Sequence, residues 1–380
     1  MREKLRLLSF SLYDAGETLL GALVYSTFFP LFITRYVDTK IYSITYGSAF
    51  LFSFLLALYL GKIADTKGIR KQLFVIFSLL TALFGSCLSF LTNLPYFALL
   101  VYSFMAVFHQ QALVFYNSML LGFTRKGFAS GLGVAVGYVS SAVSLIFLVR
   151  WMSLPDVFFQ ACILFTLLSL PSFLVLQNPS HRQSVTLREI FRDKKFLLTI
   201  LSILSLTEVA NTLIAMMGIY LRKVYGLEDT EIYKVIGLSA LGGVIGGALF
   251  GKLSDKVGAL FLFPAGFFLW SSFLITLYFI PKEFLLPIGF LAGISLAHLW
   301  TTSRLFIIEG FPQTQVSLRL SFLSLTERVA STTGLFVWSL FLYATDDNYK
   351  LSALFMLIFP LAGFFIFQKA HRGKILKITP

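Results

Sequence analysis

The octet GKIADTKG (Gly61–Gly68) returns 190 positions later as GKLSDKVG (Gly251–Gly258). Gly61, Asp65 and Gly68 align without a gap on Gly251, Asp255 and Gly258, and the spacing is half of a 380-residue chain. A repeat at that period means two copies of one structural unit. Each copy closes an apolar segment, and stretches of ~20 apolar residues have the length that crosses a hydrocarbon layer. Twelve such segments are expected, near 8–34, 42–61, 70–91, 94–122, 128–150, 156–176, 195–221, 229–251, 258–280, 283–308, 317–343 and 348–368. The octets follow segments two and eight. The predicted fold is an all-α integral membrane protein, with twelve transmembrane helices in two pseudo-symmetric six-helix bundles. Residues 1–176 form the N-terminal bundle, 177–194 a cytoplasmic linker, and 195–380 the C-terminal bundle with a short basic tail.

Composition agrees with lipid as the solvent. The chain is 57% hydrophobic and only 13% charged, too little charge to cover a soluble surface of this size. The formal charge of +13 does not indicate nucleic-acid binding, because the basic residues are dispersed at segment ends and form no face. They orient the chain: 22 of the 31 Lys and Arg residues fall on one side, which places both termini in the cytoplasm. The expected location is the plasma membrane, or the inner membrane of a Gram-negative cell. Arg2, Lys4 and Arg6 before an apolar run mimic a secretion signal. That run carries Asp14 and Glu17 and lacks a small-x-small cleavage site, so it reads as an uncleaved first helix. Cys87 and Cys162 lie inside apolar runs and imply neither a disulfide nor a metal site. With no HExxH, CxxC, Ser/His/Asp set or phosphate-binding loop, neither an enzyme nor a cofactor is expected.

The repeated loop has a physical logic. Gly61 and Gly251 are expected to end their helices where two backbones approach closely. Asp65 and Asp255 place a carboxylate where helix N-termini and bases converge, and Gly68 and Gly258 supply tight turns. Arg70 and Lys71 hold the first loop in the cytoplasm. These residues are candidate gating latches. In the polar stretch Gln177–Lys195, Ser184 or Thr186 is placed to cap a short surface helix presenting Arg188, Arg192 and Lys195.

An ionisable residue in a membrane helix costs at least ~2.5 kcal/mol at the centre and tends to face a cavity or a partner. Segment one carries Asp14 and Glu17 at i, i+3, and segment seven carries Glu208 and Asn211 at the same spacing. Asp14, Glu17 and Thr18 align on Glu208, Asn211 and Thr212. These groups either line a central cavity or act as latches near the cytoplasmic end. Glu327 and Arg328 on segment eleven are adjacent, diverge by ~100° and do not pair with each other. Four carboxylates against Arg328 leave excess negative charge, which either a proton or a cation such as Na⁺ must compensate. On segment four, Tyr116 and Asn117 are candidate cavity-lining residues. His109 and His298 read as packing residues. Gly133 and Gly137 form a close-packing stripe on segment five.

A Gly, three residues, an Asp, then Gly and basic residues resemble the signature loop of the major facilitator superfamily. Within it, LYDAGETLLGALVYSTFFPLFI, the triplet Phe115–Asn117 and KGFASGLGVAVGYVSS are similar to the vacuole effluxer family. Tyr13, Asp14, Ser130, Gly131, Gly133, Gly137 and Tyr138 carry the match, while Glu17 replaces the family's usual Asn. The resemblance implies efflux of amino acids or similar solutes.

The expectation is a secondary active transporter working by alternating access, proton-coupled and monomeric. Its partners are a small solute, a coupling ion (H⁺ or Na⁺) and the bilayer. The alternatives are a gradient-independent or sodium-driven facilitator of the same fold, or a non-transporting receptor or scaffold.

Overall fold

The computed structural model describes residues 2–179 and 186–375. Among the described residues there is helix and no strand. Helix α1 (Arg2–Leu20) continues through a π-helical stretch, Gly21–Phe28, into Phe29–Ile33. It is followed by α2 (Thr39–Lys67), α3 (Arg70–Cys87), α4 (Pro95–Ser118), α5 (Lys126–Ile146) and α6 (Val157–Val175). A linker helix, Leu187–Arg192, leads to α7 (Lys194–Tyr225) and α8 (Asp229–Val257). A short turn, Ala259–Leu262, precedes α9 (Ala265–Phe279), then α10 (Leu285–Gly310) and α11 (Val316–Ala344). Tyr349–Phe355 opens the last crossing, which α12 (Ile358–Ile375) completes.

Eleven of these crossings are long and apolar enough to span a membrane. Helix α11 is the twelfth: it has 29 residues, but Arg319, Glu327, Arg328 and the run Ser331–Thr333 lower its hydropathy. Spanning helices satisfy their backbone groups internally, as a hydrocarbon medium requires. Their outward faces keep large apolar side chains exposed, among them Leu51, Tyr59, Phe279 and Phe365. Lipid is the medium that makes such a surface favourable. The chain is an all-α integral membrane protein of the twelve-helix kind.

The described chain divides into two units. One comprises Met1–Val185 with Pro312–Ser321; the other comprises Thr186–Phe311 with Phe322–Pro380. The first holds α1–α6 and the first turn of α11, and its principal neighbours are α3–α4, α1–α5, α1–α6, α3–α6 and α2–α4. In the second unit α7–α12, α8–α10, α9–α10 and α9–α12 are neighbours, corresponding to α1–α6, α2–α4, α3–α4 and α3–α6. The six-helix arrangement is therefore repeated. Its cores are aromatic: Phe10, Tyr13, Phe74 and Tyr116 interlock in the first, and Phe263, Phe267, Phe306 and Phe367 in the second.

The repeated octet departs from expectation in one respect. Gly61 and Gly251 do not end their helices; they lie inside α2 and α8, which run on to Lys67 and Val257. Nothing in GKIADTK or GKLSDKV breaks a helix once one glycine is tolerated. The turns come at Gly68 (φ 66°) and Gly258 (φ 84°), where a side chain would be strained. The short linker helix is present, and Thr186 donates to Glu189 Oε1 at 2.7 Å. Ser184 lies outside the described residues.

Candidate functional site

The first octet forms a buried clamp inside the first unit. Asp65 and Arg70 are both fully buried, with Arg70 Nη2 donating to Asp65 Oδ1 at 2.9 Å and Nε donating at 3.1 Å. The same carboxylate accepts from the first turn of α11: Ser317 N–H reaches Oδ1 at 3.1 Å and Leu318 N–H reaches Oδ2 at 3.0 Å. Those amides belong to the helix end whose donors lack intrahelical partners and whose dipole favours an anion. Arg70 also donates to Ser317 Oγ at 3.0 Å and to Pro179 O at 3.4 Å. Gly61 permits the approach: a Cβ there would lie 2.9 Å from Leu318 Cα.

The start of the linker is tied to the same turn. Asn178 Oδ1 accepts from Lys71 N–H at 3.0 Å, and its amide donates to Gly68 O.

The second octet does not repeat the clamp. Asp255 is exposed, and the position matching Arg70 is Leu260. Here Glu309 accepts from Ala259 N–H at 3.1 Å at the start of the turn that follows.

The intramembrane carboxylates occupy corresponding places in the two units. In the first, Asp14 on α1 is nearly buried against α5, and Gly133 makes the room: a Cβ there would collide with Asp14 Oδ2. One turn on, Gly137 lies against Thr18 Oγ1, which donates to Asp14 O at 2.7 Å. Ser140 adds a hydrogen bond to Ala15 O at 2.7 Å. Glu17 emerges beside this contact with its side chain 21% exposed, and its Oε1 lies 3.4 Å from His109 Nε2 on α4. The His109 ring stacks on Tyr25, with centroids 4.9 Å apart.

In the second unit, Glu208 on α7 is nearly buried and accepts a hydrogen bond from Thr333 on α11. Gly334 makes the room here: a Cβ would collide with Thr212 Oγ1 and lie 2.8 Å from Glu208 Oε2. Asn211 Nδ2 donates to Glu327 O at 2.9 Å and to Ser331 Oγ at 3.1 Å. Thus Glu208 and Asn211 are brought to α11, the helix that carries Glu327 and Arg328. A carboxylate with a Thr one turn later, packed on a glycine of the neighbouring helix, occurs once per unit.

Tyr116 does not line an open wall. It is fully buried, donates to Phe10 O at 2.8 Å and stacks on Phe10 at 4.2 Å. Burial of its ring among Phe10, Tyr13 and Phe74 makes it a packing residue of the first core. Asn117, its neighbour, is half-buried. Sequence does not single out Thr333 or Asn178, and it reads His109 as a packing residue. A histidine on an apolar helix reads as packing until its partner on another helix is known. Among the described residues no group of three or more His, Cys, Asp or Glu side chains is placed to hold a metal ion.

Two repeated six-helix units, each with a carboxylate on its first helix, define the class as a multi-pass membrane protein with a transporter fold. The family model of the Major Facilitator Superfamily matches residues 18–280 and 210–376, and the chain belongs to that superfamily. The chain is also similar to an uncharacterized protein of Aquifex aeolicus (strain VF5), 58% identical over 368 residues, 97% of each chain. Its fold is similar to a crystal structure of a bacterial homologue of the iron transporter ferroportin in an outward-facing state. That match has a TM-score of 0.77 and 18% identity, covering 98% of this chain and 100% of that one. Similar too are the human organic anion transporter MFSD10 (TM-score 0.72, 15% identity, 97% and 99% covered) and FucP, the E. coli fucose:proton symporter (TM-score 0.76, 14% identity, 97% and 98% covered). At these identities the likeness is one of fold.

Proposed function

We propose that this chain is a proton-coupled secondary transporter of the plasma membrane. It moves a small solute of the amino-acid kind outward by alternating access, as the resemblance to vacuole effluxers implies. The observation that carries this reading is the Glu17–His109 pair, partly open beside the buried Asp14, whose own counterpart in the second unit is Glu208. A carboxylate and an imidazole in reach of each other are the two side-chain types that proton transfer uses most. Asn117, Asn211, Glu327 and Arg328 supply the remaining polar groups for solute and ion. The Asp65–Arg70 clamp on the first turn of α11 is the latch that stabilises one state.

The test is flux into lipid vesicles over a solute panel, with and without a pH gradient, and with Na⁺ replaced by K⁺. Glu17→Gln and Glu208→Gln should each abolish dependence on the pH gradient. Gradient-driven accumulation at wild-type level in both variants, or dependence on Na⁺ alone, would overturn the reading.

A further inference from the structure

The first crossing changes its winding close to His109. Helix α1 ends at Leu20, and the chain runs on as the π-helical stretch Gly21–Phe28 before α-helical winding resumes at Phe29. The wider winding shows in the bonds. Phe29 N–H donates to Val24 O, and Thr27 Oγ1 donates to Ala22 O at 2.8 Å, each acceptor five residues back. Such stretches are rare and are frequent at functional positions.

The stretch sets the direction of Tyr25. Glu17 and Tyr25 are eight residues apart, and at ~100° per residue an unbroken α-helix would leave them about 80° out of line. Residues wound with i→i+5 bonds advance by less, so the turn from Gly21 brings Tyr25 back toward the Glu17 face. On α4, Tyr102 and His109 are seven residues apart and share a face. The half-buried Tyr25 lies against both: its ring centroid is 5.5 Å from that of Tyr102 and 4.9 Å from that of His109, the second at an interplanar angle of 28°. Tyr102 is fully buried and stacks in turn on Phe29 at 3.7 Å. His109 thus meets Glu17 Oε1 3.4 Å from its Nε2 and the Tyr25 ring across its face. Both partners come from the first crossing.

A histidine ring turns about χ2 in a broad well, so its own rotamer does not fix the plane of the imidazole. Proton transfer needs that plane fixed, with donor and acceptor closing to about 2.6–3.2 Å. Nε2 and Oε1 stand just outside that reach. A stacked aromatic ring opposes tilting of the imidazole, and the Tyr102–Phe29 pair behind Tyr25 opposes its swinging away.

We propose that Tyr25 is the positioning residue of the Glu17–His109 pair. Its ring, placed by the π-helical turn, holds the imidazole in the orientation in which a proton passes between Glu17 Oε1 and His109 Nε2. The ring carries this role and the phenolic oxygen does not. This inference rests on the proton-coupled reading for its function, but the stack can be tested without transport.

NMR of the detergent-solubilised full chain, protonated only at His and Tyr, should show a nuclear Overhauser contact between the His109 and Tyr25 rings. The His109 signal is the one missing in His109→Gln. In vesicles, the probe is the amino acid with the fastest flux in the solute panel. Tyr25→Leu should lower its pH-driven accumulation at least tenfold, as misplacement of a reacting group does, and leave its exchange without a gradient at the wild-type rate. Tyr25→Phe should keep wild-type accumulation. A merely structural role would lower exchange and accumulation together, and that result overturns the proposal. So does the absence of the ring contact in the wild type, or loss of accumulation in Tyr25→Phe, and these two decide even if Tyr25→Leu does not fold. Equal pH-driven accumulation in the wild type and Tyr25→Leu overturns the positioning role and leaves the transport reading intact. No pH-driven flux of any solute in the wild type overturns that reading, and the positioning role with it.

Discussion

Replacing Asp65 with Ala removes the acceptor at the centre of the clamp. The Arg70 guanidinium then stays fully buried beside the neutral oxygens of Ser317 and Pro179. Breaking a buried ion pair from one side costs about 3–5 kcal/mol, because the remaining charge is left without its counter-charge. The Ser317 and Leu318 amides lose their acceptor in the same step. Taking 3 kcal/mol, the docked state of the first turn of α11 should fall about 150-fold relative to the undocked state.

Amide hydrogen exchange reads this directly, since the two donors are backbone N–H groups. Peptides covering 314–321 should lose protection in Asp65→Ala by about two orders of magnitude, the factor that 3 kcal/mol implies. Asp255→Ala is the internal control. Its carboxylate is exposed, and a surface change of this kind should stay within about 0.5 kcal/mol. Removing both charges in Asp65→Ala/Arg70→Leu should restore part of the protection, because deleting a whole buried pair is far cheaper than halving it. Unchanged exchange at 314–321 in Asp65→Ala, or equal effects of Asp65→Ala and Asp255→Ala, would refute the clamp.

Gly334→Ala should lower the thermal midpoint by the equivalent of about 1–3 kcal/mol, because its Cβ meets Thr212 and Glu208. Gly237→Ala, with nothing within 4 Å, should leave the midpoint unchanged or raise it by up to ~1 kcal/mol of helix propensity. Asn178→Ala removes two hydrogen bonds to the Gly68–Lys71 turn, and should speed amide exchange there by about tenfold. Tyr116→Phe should cost about 1 kcal/mol of stability and leave the KM of the carried solute unchanged. A KM shift above about threefold would return Tyr116 to the solute path.

The twelve crossings were legible because hydrocarbon imposes a length and an apolarity that few soluble segments share. The repeat was legible because Gly61, Asp65 and Gly68 recur in register. The extent of the octet as helix was not. A final polar helical turn and a loop have the same composition, and only the positive φ at Gly68 and Gly258 separates them. The close approach at Gly61 followed from its lack of a side chain, but its partner Leu318 is more than 250 residues away and has no local signal. The spacing of Asp14, Glu17, Glu208 and Asn211 pointed to the carboxylate sites. The partners of Glu17 and Glu208, His109 and Thr333, lie on other helices, and one sequence carries no record of which helices meet.

The two units keep the same scaffold but not the same chemistry. Asp14 with Thr18 and Glu208 with Thr212 occupy matching places, and each pair packs on a glycine of the adjoining helix. A glycine at such a contact lets two backbones close up, which is a demand of packing as much as of function. The octets differ where charge is concerned. Asp65 is buried with Arg70, whereas Asp255 is exposed and Leu260 stands where the base would be. A carboxylate can be buried at tolerable cost only with a counter-charge and donors at hand. The duplicated octet thus ends a helix on a positive-φ glycine in both copies, while among the described residues the buried Asp65–Arg70 pair belongs to the first.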